Sequence, residues 1–338
     1  MRKLYFLLPG TKGKFGGGGL WAELNTAKIA NQVTEVEIVT YRQRETDKPF
    51  LKELLPKVDR HGSIFVINWG FDVPKLLSQL RGCHVIYHAH SSRYGFKIPS
   101  YVPIICVSRN TMGYWGERAS NSLIYYLPNE LGTEFYDTNQ PRDIDVLVQT
   151  RKSSSYLQQL IPILRSRCRV KVLDGYVEDL AAMFNRSKVY LYDTAEYWQL
   201  SGVTEGFGLP PLEALACGCQ IFSSVNHALA DYLDPGFNCQ KISCYSLQYD
   251  LQKILAAVNS PVKPQLPEQF WSQYQKENIQ ARLEVILREI NGFFDFQASP
   301  QQLISPLTSS RAIKLKAAST ITKVSKKLFS SKKNKGNS

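Results

Sequence analysis

Glu205-Gly206-Phe207-Gly208-Leu209-Pro210-Pro211-Leu212-Glu213-Ala214-Leu215-Ala216 is a glycine-rich turn that runs straight into a helix, with a carboxylate on either side. Pro210 and Pro211 suit a first helical turn, because proline has no N–H to lose there and its φ is already helical. Gly218 stands where such a helix stops. The turn from Gly206 to Leu209 therefore offers unpaired backbone N–H groups at the positive end of a helix dipole, a setting for phosphate. Glu205 precedes the turn and Glu213 lies just inside the helix, so both can reach one small volume. Carboxylates beside a phosphate site are suited to hydroxyls rather than to the phosphate itself.

Outward from this stretch, short β-branched and aromatic runs alternate with helical patterns. Strands are expected at residues 4–8, 35–40, 63–68, 84–88, 104–107 and 123–127, and again at 144–148, 169–173, 189–192, 220–223 and 238–242. Amphipathic segments at 20–32, 154–165, 177–186 and 226–233 lie between them, and a long helical pattern covers 269–290. Alternation of this kind predicts parallel sheets with helices on both faces. The strands are apolar throughout, as in sheets covered on both sides. The polar stretch 131–142, broken by Gly132 and Pro141, divides two such sets.

The Glu-x7-Glu run resembles the signature of the group-1 (family 4-like) retaining glycosyltransferases, and Ala216-Cys217-Gly218-Cys219 followed by Gln220-Ile221-Phe222 is similar to that family's continuation into a strand. The resemblance implies α/β architecture of the GT-B kind, two facing Rossmann-like domains with parallel sheets and here a basic C-terminal tail. It divides the chain into an acceptor-side domain (1–130), a linker (131–142), a nucleotide-sugar domain (143–268), a long helix crossing back (269–292) and a flexible basic tail (293–338). It implies a hexosyl or other glycosyl transferase that retains anomeric configuration, with a nucleotide-sugar as co-substrate and an acceptor that is a carbohydrate, a lipid or another molecule. By the same resemblance Glu205 holds the donor sugar, Glu213 the ribose, and Gly206, Phe207, Gly208 and Leu209 the phosphates. Tyr176 and Val177 fall in the stretch that holds the base. Gly16 and Gly17, in a glycine-rich loop after the first strand, approach the donor phosphates and the acceptor, with Lys14 beside them. Two rival readings remain: a non-catalytic sugar-binding protein of this shape, and a nucleotide-sugar epimerase on the same fold.

Arg151 and Lys152 follow the strand at 144–148, where fixed cations stabilise a leaving diphosphate. The family places a Lys five residues after its Arg, whereas position 156 here is Tyr, so which of the two cations takes which role stays open. His90 falls in a loop that can face the interdomain cleft, where a family histidine contacts the donor sugar or the reacting centre; His88 reads as a core residue. Arg93 is a candidate acceptor or phosphate contact. No Asp-x-Asp motif of the metal-dependent sugar-transferase type is recognised, so no metal and no other cofactor is expected, with protein cations in the metal's place.

The 338 residues carry a net charge of +12, and nine Lys or Arg without one acid lie in 311–338. The first 310 residues balance 32 Lys or Arg against 29 Asp or Glu, so the body is nearly neutral and no nucleic-acid partner is expected. Apolar positions 317, 321, 324 and 328 fall at helical spacing among these lysines. The tail therefore reads either as a cationic anchor for an anionic membrane surface or as a flexible solubilising segment. Seven cysteines without metal or redox spacing read as free buried thiols. The expected location is cytoplasmic, or peripheral on the inner face of the membrane.

Overall fold

The computed structural model describes residues 1–150, 152, 155–175, 177–225, 227–260, 263, 265–299, 304 and 307–333, with backbone alone for Lys14 and 325–333. Arg151 and Tyr176 lie outside the described residues, as does the side chain of Lys14.

Two all-parallel sheets form. The first holds β1 (Lys3–Leu8), β2 (Val36–Thr40), β3 (Ser63–Ile67), β4 (His84–Ala89), β5 (Ile104–Cys106) and β6 (Ile124–Tyr126) in the order β2-β1-β3-β4-β5-β6. The second holds β7 (Ile144–Gln149), β8 (Val170–Leu173), β9 (Ser187–Tyr192), β10 (Gln220–Ser223) and β11 (Cys239–Lys241) in the order β11-β10-β9-β7-β8. Successive residues of a strand enter opposite cores. Tyr5 and Leu7 pack with Trp115, whereas Leu4 and Phe6 pack with the helix Lys276–Gln297. In the second sheet Leu147 joins Phe184 and Leu212, whereas Val146 and Val148 join Leu160 and Ile254. Burial on both faces is why the strands lack polar alternation.

Several sequence expectations need correction. The long helical pattern breaks into Glu268–Ser272 and Lys276–Gln297, because Tyr274 turns fully into the core of the second sheet and Gln275 is extended. The second piece runs past residue 292, with Phe294 buried against the first sheet and its ring stacked 4.4 Å from that of His84. Of the segment 226–233, whose residue 226 lies outside the described residues, 227–231 form the 3-10 turn His227–Asp231, and 177–186 shortens to Leu180–Asn185, started by Asp179 accepting from Ala182 N–H. Among the thiols, Cys244 is exposed while Cys83 and Cys168 are half-buried. The tail is not structureless: Ser309–Lys333 is one helix, over a stretch rich in helix formers and free of Gly and Pro. No helix among the described residues is long and apolar enough to cross a membrane.

Docking of the Lys276–Gln297 helix on the first sheet has a measurable price in stability. Phe294→Ala should lose about 3–5 kcal/mol in urea unfolding, as buried aromatic truncations do. Phe296→Ala, at a side chain 64% exposed on the same helix, should change it by no more than about 0.5 kcal/mol. Equal losses from the two would mean that the helix is not docked on this face.

Candidate active site

The carboxyl ends of β4 and β9 bring the two halves of the molecule together at one seam. After β4, Ser91 donates to the Thr204 carbonyl at 2.5 Å and the Ser92 hydroxyl lies 2.8 Å from that of Thr204. A Cβ at Gly206 would lie 1.4 Å from the His90 carbonyl oxygen, so only glycine admits this approach. Gly208 has φ +80°, in the left-handed region, and caps the helix Leu209–Ala216. Among the described residues no group accepts from the N–H of Phe207, Gly208 or Leu209, so the turn offers these donors to a ligand. Arg142 donates to the Cys217 carbonyl at the other end, complementing the helix dipole. The Phe207 side chain is not in the turn's opening: it is buried, 5.4 Å from the ring of Tyr232, so only its backbone faces a ligand.

Glu205 is buried and held by one oxygen. Its Oε2 accepts from Tyr192 Oη at 2.7 Å, Trp198 Nε1 at 2.7 Å and Thr194 Oγ1 at 3.4 Å. Among the described residues Oε1 has no hydrogen-bond partner, so this oxygen can accept from a further hydroxyl. Lys152 Nζ stands 4.1 Å from the ring centre of Trp198 and 5.6 Å from that of Tyr197. Glu205 and Lys152 thus meet on one indole. Trp198, Tyr192 and Thr194 are not among the candidates named from the sequence; the aromatic cluster Tyr197-Trp198 between β9 and Glu205 is the signal it carries for them.

On the other side of the seam, Glu23 is buried on the helix Gly18–Ala30 and its Oε2 lies 2.6 Å from both His88 Nδ1 and His90 Nε2. Burial opposes its charge, yet the two histidines hold the carboxyl below its ordinary range. Burial and the neighbouring His88 lower the pKa of His90. A neutral His90 whose Nε2–H is given to Glu23 presents a lone pair at Nδ1, able to accept from a hydroxyl. Glu23 was also missed, although a lone carboxylate in the inward stripe Leu20, Glu23, Ala27, Ala30 is visible in the sequence.

Gly16 and Gly17 precede the same helix, and a Cβ at Gly17, Gly18 or Gly19 would meet nothing within 4 Å, so this loop borders open space. Arg93 is exposed with φ +72°, one residue beyond the seam serines. Val177 is half-buried against the second core. A cavity of about 760 Å³ lies elsewhere, between the linker and Trp271, and none of these residues lines it.

Glu213 is half-buried on its helix, where burial and then the charge of Glu134 push it up to about 8. A carboxyl with a folded pKa above its ordinary 4.5 binds more protons folded than unfolded between those values. Its contribution to stability therefore declines as pH rises through that window and is level above it. Glu213→Gln should accordingly gain Tm over the original protein as pH is raised from about 5 to about 8. Thermal denaturation across this range checks it, and a constant difference would mean an ordinary carboxylate.

No protein-family model and no curated protein sequence matches the chain. Solved structures do. A sucrose-phosphate synthase from Thermosynechococcus elongatus superposes with a TM-score of 0.61 at 14% identity, over 88% of this chain and all of that one. A glycosyltransferase from Rickettsia africae gives 0.61 at 11% identity, over 86% and 98% of the two chains. The Anabaena protein HepE, solved with UDP-glucose, gives 0.54 at 16%, over 88% and 99%. The chain has the GT-B fold of these glycosyltransferases, two facing Rossmann-like domains built on parallel sheets.

Proposed function

We propose that the chain is a retaining glycosyltransferase that moves a sugar from a nucleotide-sugar to a hydroxyl acceptor without a metal. The observation that carries this reading is Glu205: a buried carboxylate, fixed through one oxygen by three donors, directly before a turn of unpaired N–H groups and across the seam from His90. UDP-sugars are the first donors to try, since HepE was solved with one.

In this reading Glu205 Oε1 and His90 hold hydroxyls of the donor sugar, and Glu213 takes the ribose. The N–H groups of the Phe207–Leu209 turn, with Lys152 and Arg151, receive the diphosphate. Tyr176 and Val177 border the base, and Gly16 and Gly17 leave room for the phosphates and acceptor. The acceptor oxygen attacks C1 on the face the diphosphate leaves. The C1–O bond to the diphosphate breaks, and a phosphate oxygen takes the acceptor's proton. Such front-face transfer needs positioning and charge stabilisation rather than a protein nucleophile.

Release of nucleoside diphosphate from a panel of nucleotide-sugars, with and without acceptor, tests the activity. Glu205→Gln should retain the fold and lose roughly 100-fold or more in turnover, the usual cost of a mispositioned reacting group. Wild-type turnover in that variant would remove Glu205 from the site.

The basic helix Ser309–Lys333 belongs to the same reading as a surface anchor. Ile313, Leu315, Ile321 and Val324 are each at least half exposed on it. Each Lys or Arg near an anionic bilayer contributes roughly 1 kcal/mol, and apolar insertion adds a part that salt does not screen. Full-length protein should sediment with phosphatidylserine vesicles and partly remain bound in high salt, while a chain ending at residue 310 should not bind. Equal sedimentation of the two would end the anchor reading.

A further inference from the structure

Trp198 lies on the short helix Ala195–Leu200, between the end of β9 and the Glu205 turn. Its two contacts use different parts of the ring. The N–H edge donates to Glu205 Oε2 at 2.7 Å, and the π face carries Lys152 Nζ 4.1 Å from its centre. An indole face attracts a cation through its negative quadrupole, while its N–H can only donate. The ring is flat and rigid, so the position of the carboxylate and that of the ammonium are set by one body. It also separates two opposite charges that would otherwise attract each other. An ammonium captured by Glu205 would be lost to a diphosphate, and the carboxylate would be lost to a sugar hydroxyl.

We propose that Trp198 is the positioning residue that couples the sugar-holding carboxylate Glu205 to the diphosphate-holding ammonium of Lys152. The inference rests on the glycosyltransferase reading and adds to it a residue with a divided task. The N–H edge governs how well the sugar is placed, and is felt in turnover. The π face governs where Lys152 waits for the terminal phosphate of a nucleoside diphosphate, and is felt in affinity. Lys152 and Glu205 come from different loops, one after β7 and one after β9, and the indole touches both.

Two substitutions separate the tasks. Trp198→Phe keeps an aromatic face and removes the N–H; Trp198→Leu removes both. Trp198 is half-buried on a surface helix, and both variants should retain cooperative thermal unfolding. In Trp198→Phe, kcat should fall about 10-fold or more while KM for the donor and the Kd for UDP stay within about 2-fold. In Trp198→Leu, the same loss in kcat should be joined by a UDP affinity lowered about 5-fold, the scale of a partly desolvated cation–π contact. On a Lys152→Met background, Trp198→Phe and Trp198→Leu should bind UDP alike, since the cation is gone.

Wild-type kcat in Trp198→Phe would overturn the carboxylate arm, and with it the coupling. Equal UDP affinity of Trp198→Phe and Trp198→Leu in the presence of Lys152 would overturn the cation arm. The UDP titrations need no turnover. If no nucleotide-sugar is consumed by the wild type, the transfer reading fails while the titrations still decide whether the indole holds Lys152 for a diphosphate.

Discussion

The close approach of the Gly206 backbone to the His90 carbonyl is the constraint on which the site depends. It joins the loop after β4 to the loop after β9 without an intervening side chain. Everything at the seam follows from that contact. Ser91 and Ser92 reach Thr204 because the backbones are already close, and the same contact sets Glu205, one residue before Gly206, across the seam from His90, whose own carbonyl makes it. A larger residue at position 206 would have to open the whole seam.

The three acidic side chains near this seam show how burial acquires different meanings from its partners. Glu23 has two histidines and keeps its charge. Glu205 has three neutral donors on one oxygen and leaves the other for a ligand. Glu213 is raised by burial and then by the neighbouring carboxylate Glu134, so its neutral form is favoured. These environments are fixed by tertiary packing, so the residue type alone says little about the state.

That division also marks what could be read in advance. The strands were legible because a sheet covered on both faces demands continuous apolar runs, and β10 was placed at its observed ends, Gln220–Ser223. The glycine turn and the proline-started helix were legible because φ and the missing N–H act locally. The break at Gln273–Gln275 was not, since helical periodicity runs on through it and only the burial of Tyr274 in another core interrupts it. Glu23 and Trp198 escaped for a related reason: their partners, His88, His90, Glu205 and Lys152, are distant in the chain or belong to a loop whose direction the sequence does not specify.

The helix Lys276–Gln297 covers Leu4, Phe6, Ile64, Val66 and Ile86 on the first sheet, and Arg2 binds Asn291 and Asp295 at its end. The earliest strand is therefore closed by nearly the last part of the body. During synthesis this apolar face of the first sheet has only the helix Gly18–Ala30 over part of it while the whole second domain is translated. The amino-terminal domain begins to fold first and finishes last, and it is this half-built face that a chaperone would meet at the ribosome.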